Sequence, residues 1–381
     1  METPTDIVGA RFDVLESIAK HIAQIKPRMP ERALICIGDF PTKILLKERL
    51  TEKTIDVLPI FIQKRSREIM KLTKSITVPH NILSVEPDAD VHFWFNMNAY
   101  LSKNEACLAQ LKGITNKFHE AIILVSLWEG LGSGMLPALV SQFKTVNANS
   151  VTLAILPSKA QPADAYFNAL ASLGMCTSNE YATVVLIGRD FAEDFLGVDR
   201  NGSRMIGNRI INYILEMMLE KETLPQELGE LSRAFNVKLY TILSIPGVSF
   251  KVYGSFESIL TAASLKPFLQ FDLMTTEVLY ILTRVPLNLK EDLTRAKIEL
   301  ATATWSKVIP NIKSIFVSEP IYIDDASDRV DLVVFAGGFD LTQLATSLMK
   351  KANRIKNEIV KKNSIKEKEW ETVVKNLTMK E

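Results

Sequence analysis

Between Ile122 and Val140 the chain reads IILVSLWEGLGSGMLPALV, and no other stretch limits the fold as tightly. A short apolar run, Ile122 to Val125, leads into Gly130-Leu131-Gly132-Ser133-Gly134, and a helical apolar pattern opens at Met135 with Pro137 in its first turn. This predicts strand, glycine loop, helix. Glycines let consecutive backbone N–H groups turn inward and a helix start adds partial positive charge, so the pair can hold phosphate. The same residues also suit a tight strand-to-helix turn in which the glycines satisfy backbone geometry alone.

Similar units repeat on either side. Ala33 to Ile37 is a short apolar run ending at Gly38, and Lys43 to Leu50 is helical in pattern; further strands are expected at Val57 to Ile62, Val91 to Phe95, Val151 to Leu156 and Ala182 to Ile187. Helix-patterned segments, Glu105 to Phe118 and Pro162 to Leu173, separate them. Such alternation predicts right-handed βαβ units and a parallel sheet covered on both faces, with ligands at the carboxyl ends of its strands. Both Gly38 and the glycine run fall there.

Arg204 to Glu220 is apolar over more than half of a helical circumference, as expected of a helix buried between two layers. Gln226 to Phe235 reads as a shorter helix, and residues 239–339 as an α+β unit. An amphipathic pattern also covers residues 6–25. From Thr346 onward, ten Lys and Arg face five Glu, and Trp370, Val373, Val374 and Leu377 form an apolar stripe on a basic helix. Such a helix docks on its own protein, on a partner or on an anionic membrane.

Composition narrows the classes. A hydrophobic fraction of 47% with 23% charged residues is that of a globular protein, and a net charge of +1 supplies no global field for nucleic acid, so none is expected as a partner. The three cysteines form no C-x-x-C pair and the four histidines have no ligand spacing, so no metal site is expected from them. The opening METPTDIVGARFD carries acids where a secretory signal needs bases and then an apolar block, so a reduced, cytoplasmic setting is expected.

Three separated motifs resemble the tubulin/FtsZ superfamily, and the pattern is most similar to FtsZ-like proteins of archaeal type. Gly130 to Met135 resembles the phosphate signature G-T-G-[TS]-G-[MA]; Ala262-Ala263-Ser264-Leu265-Lys266-Pro267-Phe268-Leu269 is similar to an alanine-rich helix ending in P-L-L; Val330 to Asp340 resembles a final strand closing on A-T-G-F. The resemblance implies a Rossmann-like parallel-sheet domain (31–203) after an N-terminal helical extension (1–30), a long central helix (204–222), a smaller α+β domain (223–340) and a basic helical tail (341–381). It implies GTP with Mg²⁺ held at Gly38, Gly130, Gly132, Ser133 and Gly134, with Asn208 as a base contact. It also implies head-to-tail self-assembly, a task such as cell division, and a membrane or division-protein partner for the basic tail.

The departures from the pattern are concentrated at the phosphates. Gly38 is followed by Asp39-Phe40-Pro41, where Pro41 has no N–H to donate and Asp39 repels phosphate. Trp128 and Glu129 replace two expected glycines, and Arg189 stands where an asparagine would read guanine. The catalytic loop N-x-D-x-x-D of the family corresponds to Pro225 to Glu230. The asparagine is missing, and Glu227 and Glu230 remain as candidates to polarise water or as ordinary acids in a first helical turn. Two functions follow: a filament-forming GTPase with weak or altered hydrolysis, or a nucleotide-free scaffold on the same fold.

Overall fold

A computed structural model describes residues 32–378 except 48–49, 51–55, 66–70, 72, 75, 87 and 363; the helix expected over residues 6–25 lies outside them. The first half runs β1 (Arg32–Ile37), α1 (Asp39–Lys47), β2 (Val57–Lys64), β3 (Asn81–Val85), α2 (Trp94–Lys103), α3 (Glu105–Thr115), β4 (Glu120–Ser126), α4 (Gly130–Thr145), β5 (Asn149–Leu156), α5 (Ala163–Thr177), β6 (Val184–Gly188) and α6 (Arg189–Glu193). A small hairpin, β7 (Leu196–Val198) and β8 (Arg204–Ile206), precedes α7 (Arg209–Glu220) and α8 (Leu224–Phe235). The second half holds β9 (Leu239–Ser249), α9 (Phe256–Ser264), β10 (Val278–Pro286), α10 (Arg295–Trp305), β11 (Ser314–Val317), β12 (Ile321–Ile323) and β13 (Arg329–Gly337). Two helices close the chain, α11 (Thr342–Lys361) and α12 (Glu367–Thr378).

One sheet runs through both halves in the order β11-β10-β13-β9-β6-β5-β4-β1-β2-β3, with β12 paired to β10. From β3 to β9 every pairing is parallel; β13 then runs antiparallel to both β9 and β10. Strands buried on both faces need continuous apolar sequence, and β1, β4, β5 and β6 supply it. Chain order reverses between β1 and β4, which makes the crevice above those two strands the topological switch point.

Three expectations are corrected. The strand expected at Val91 to Phe95 is instead the entry to α2, and β3 lies ten residues earlier. Gly130 to Gly134 is not a separate loop but the opening of α4, which puts Pro137 inside the helix. The core helix begins at Arg209 rather than Arg204, because Gly207 takes φ +59° and the residues before it pair as β8. As expected, α7 is buried over a wide arc, with Ile210, Ile211, Ile214, Leu215, Met217 and Met218 in the core.

The basic tail folds back. Ala345, Leu348, Ala352, Ile359, Trp370, Val373 and Leu377 complete the cluster that covers one face of the first half, and Trp370 stacks on Phe167 of α5 at 4.6 Å. Its apolar stripe is therefore covered by the chain's own α5, and only the charged side of the tail faces outward.

Candidate functional site: a crevice filled by its own side chains

Three strand ends frame the switch point. After β1, Gly38 takes φ +95°, donates its N–H to the Ile62 carbonyl at 2.9 Å and accepts from Thr42 Oγ1 at 2.8 Å. These bonds turn the chain sharply into α1 and bring Phe40 over the crevice. After β4, Trp128 and Glu129 precede α4, and after β6, Arg189 opens α6.

These side chains meet. The Phe40 and Trp128 rings lie edge to face at 4.9 Å, and the Arg189 guanidinium sits over both, 4.9 Å from Phe40 and 5.0 Å from Trp128. Glu193 holds that guanidinium in place through a 2.7 Å hydrogen bond from Arg189 Nε. Cation–π contacts of this kind stabilise by about 0.5–2 kcal/mol each, the more so when water is excluded. Beneath them, Glu129 Oε2 stands 3.1 Å from the place where a Cβ on Gly38 would lie, and Ser126 Oγ 3.4 Å from it. Burial, and then the neighbouring carboxylate of Asp39, push Glu129 above its ordinary range. Glu129 is the N-cap residue of α4, and its side chain makes no bond to the helix's own N–H groups.

The glycines of α4 are close-packing residues. A Cβ on Gly130 would lie 2.3 Å from the Val91 carbonyl oxygen, one on Gly132 2.2 Å from that of Ser126, and one on Gly134 2.6 Å from that of Trp94. Ser133 is fully buried and donates its hydroxyl to the Glu129 carbonyl at 2.8 Å. The run is explained by the tight passage of α4 against α2 and the end of β4. Gln63, buried at the end of β2, and Ser126 have polar side-chain atoms with no hydrogen-bond partner among the described residues. Sequence reasoning missed Gln63; its one signal is an amide in the apolar strand VLPIFIQK.

Of the remaining candidates, Asn208 opens α7 and the two glutamates lie apart from this crevice. Asn208 caps α7 without a side-chain cap bond, and its Oδ1 is buried with no partner among the described residues. Four residues on, Asn212 Nδ2 donates to the Ile44 carbonyl of α1 at 2.7 Å. Glu227 accepts from Thr223 Oγ1 and from the Tyr280 hydroxyl, both at 2.6 Å, and pairs with Lys221 at 3.6 Å. Glu230 is exposed and accepts from Gln226 at 2.9 Å. The Glu227 partner Lys221 follows α7, whose Leu219 carbonyl accepts from Arg32 at the first residue of β1, so Glu227 stands toward the amino edge of the sheet, across the molecule from the glycines. The structure therefore does not bring the two groups together within one chain.

The groups around the switch point differ from those that phosphate and guanine need. The switch-point crevice holds two aromatic rings, a guanidinium and a buried carboxylate, and Arg189 offers only donors to a base edge. No group of three or more His, Cys, Asp or Glu able to hold a metal exists among the described residues.

A parallel sheet with its switch point at a glycine-led helix, crossed by a core helix and extended by an antiparallel second half, is the tubulin/FtsZ fold. CetZ from Methanosaeta thermophila is similar over 90% of this chain and 96% of its own, with TM-score 0.65 and 14% identity. A protofilament of Haloferax volcanii CetZ2 bound to GTPγS matches over 86% and 99%, with TM-score 0.61 and 15% identity. An FtsZ dimer from M. jannaschii, described as empty, matches over 88% and 93%, with TM-score 0.58 and 14% identity. At such identity the likeness is one of fold. No protein-family model matches the chain, and no match was found among curated protein sequences.

Proposed function

We propose that this chain is a cytoskeletal scaffold on the tubulin/FtsZ fold that associates with itself head to tail and does so without guanine nucleotide. The stack of Phe40, Arg189 and Trp128 over the Glu129 carboxylate carries this reading. Where a family member would bind triphosphate, the chain sets a buried carboxyl group and its own planar groups. The opposite reading, GTP and Mg²⁺ at Gly38 and Gly130 to Gly134 with Glu227 and Glu230 polarising water, draws on the motif resemblance and on the GTPγS-bound CetZ2. Both FtsZ as a dimer and CetZ2 as a protofilament make self-association the natural property to look for. A place in cell division rests on the resemblance alone.

Two measurements test the proposal. Labelled GTPγS titrated into the purified chain gives no saturable signal up to high micromolar concentration, and pelleting with microscopy finds assemblies whose amount is unchanged by GTP. The variant Trp128→Gly with Glu129→Gly clears the crevice and gains nucleotide binding. Micromolar binding by the unaltered chain, or assembly strictly dependent on GTP, overturns the reading.

A further inference from the structure

We infer that this chain rests on anionic lipid headgroups through one outward ridge of α11, the row Gln343, Ser347, Lys350, Arg354, Asn357 and Lys361. The inference does not depend on the self-association reading above.

Spacing makes the row. Alternating steps of four and three residues keep these side chains on one side of a helix, and from Gln343 to Lys361 the row runs about 27 Å. All six are exposed, while Ala345, Leu348, Ala352 and Ile359 on the opposite side are buried against the first half. The row holds three cations, three uncharged polar groups and no acid.

The cations of α11 differ in what they touch. Lys351 Nζ donates to the Lys159 carbonyl at 2.9 Å and to the Tyr166 hydroxyl at 2.8 Å, and Lys356 pairs with Glu367, so both are held by the protein. Lys350, Arg354 and Lys361 make no hydrogen bond or ion pair among the described residues. The acids nearby do not cancel them. Glu358, the one acid of α11, lies off the row and is matched one turn on by exposed Lys362. Asp340, ahead of the helix, accepts from the Thr342 N–H at 2.9 Å and hydroxyl at 2.7 Å. Neighbouring α12 is balanced, with Lys366, Lys368 and Lys375 against Glu367, Glu369 and Glu371. The surplus is therefore local to the ridge, on a chain whose net charge is only +1.

Shape names the occupant. A convex ridge offers no cleft to a shaped partner, whereas a fluid bilayer brings mobile anionic headgroups to fixed cations. A duplex nucleic acid is held by about 6–10 phosphate contacts, more than this row supplies. The apolar stripe of the tail is covered by α5, and no helix among the described residues is long and apolar enough to cross a membrane. Contact is thus with the headgroups and not with the acyl layer.

Flotation of the full chain tests this, with vesicles of phosphatidylcholine alone and with about one-third phosphatidylglycerol. The chain floats with the anionic vesicles only, and about 0.5 M salt releases it. Each basic residue at such a surface raises partition about fivefold, so Lys350→Gln with Arg354→Gln and Lys361→Gln lowers it about a hundredfold. Lys350→Arg with Lys361→Arg keeps it. Removing the same charge from the second half, as Lys266→Gln with Lys290→Gln and Lys307→Gln, leaves partition within about threefold, because those residues lie beyond the reach of the ridge's field. An unaltered chain that does not float, equal flotation with neutral vesicles, a ridge variant that floats undiminished or equal losses in both triple variants overturn the inference. So does a DNA duplex that strips the chain from the vesicles at equal phosphate. None of these outcomes touches the self-association reading.

Discussion

At Gly38 the backbone is left-handed, φ +95°, and the missing Cβ makes the room that the Glu129 carboxylate uses. A buried acid with a raised folded-state value is stabilising in its protonated form below pH 4.5, the ordinary value, and that contribution is lost as pH rises through the folded value. Glu129→Gln keeps the shape and removes the charge. In denaturant unfolding series the variant gains on the unaltered chain as pH rises from 4.5 to neutrality; a pH-independent difference would show Glu129 to be solvated in the fold. The individual residues of this site were legible as exceptions to a pattern: Asp39, Pro41, Trp128, Glu129 and Arg189 each stand where phosphate or base recognition needs something else. Their meeting was not legible, because β1, β4 and β6 are brought side by side only by strand pairing. Nor was the packing role of Gly130, Gly132 and Gly134, since a glycine at a close approach and a glycine under a phosphate look alike in sequence.

The elements mostly followed their periodicity where apolar spacing decided the outcome, the short run Val91 to Phe95 being an exception that is too brief to tell strand from helix, and departed from it at a backbone break. Strands β1, β2, β4, β5 and β6 and helices α3, α5 and α8 stand within a few residues of their expected places, whereas Gly207 moved the start of α7. The tail shows the limit of spacing as an argument. Its stripe was readable from Trp370 to Leu377, yet what covers it depends on α5, which lies some 200 positions earlier. The contact is close: a Cβ on Gly174 would lie 2.2 Å from the Val373 carbonyl oxygen, which is backbone and cannot swing aside. Gly174→Ala is therefore expected to lift α12 from α5 and destabilise the fold by about 1–3 kcal/mol, the usual cost of overpacking. Limited proteolysis reads the result directly, as faster cleavage at Lys366 and Lys368; unchanged cleavage would mean that the helices accommodate the methyl group without separating.

Across the whole molecule, the two halves are joined by a buried ion cluster as well as by the shared sheet. Arg284 of β10, only 1% exposed, donates to Asp331 of β13 at 3.2 Å and to Glu220 of α7 at 2.8 Å. Tyr213 of α7 donates to Asp331 at 2.9 Å, and the Gly247 N–H reaches the same carboxylate at 2.7 Å. Arg284→Met leaves Asp331 without its counter-ion and costs about 3–5 kcal/mol, whereas Arg284→Met with Asp331→Leu recovers much of that. Chemical denaturation of both variants checks the pair; equal losses in the two would show that packing, not charge, sets the cost. One consequence concerns the order in which the protein is made. The cluster that begins at Ala33 is completed by Trp370, Val373 and Leu377, so translation must pass residue 377 before the earliest strands can be sealed. Until then an oily flank stays bare, and a stop codon placed just before Trp370 would send out a molecule that sticks to its neighbours rather than a shorter working one.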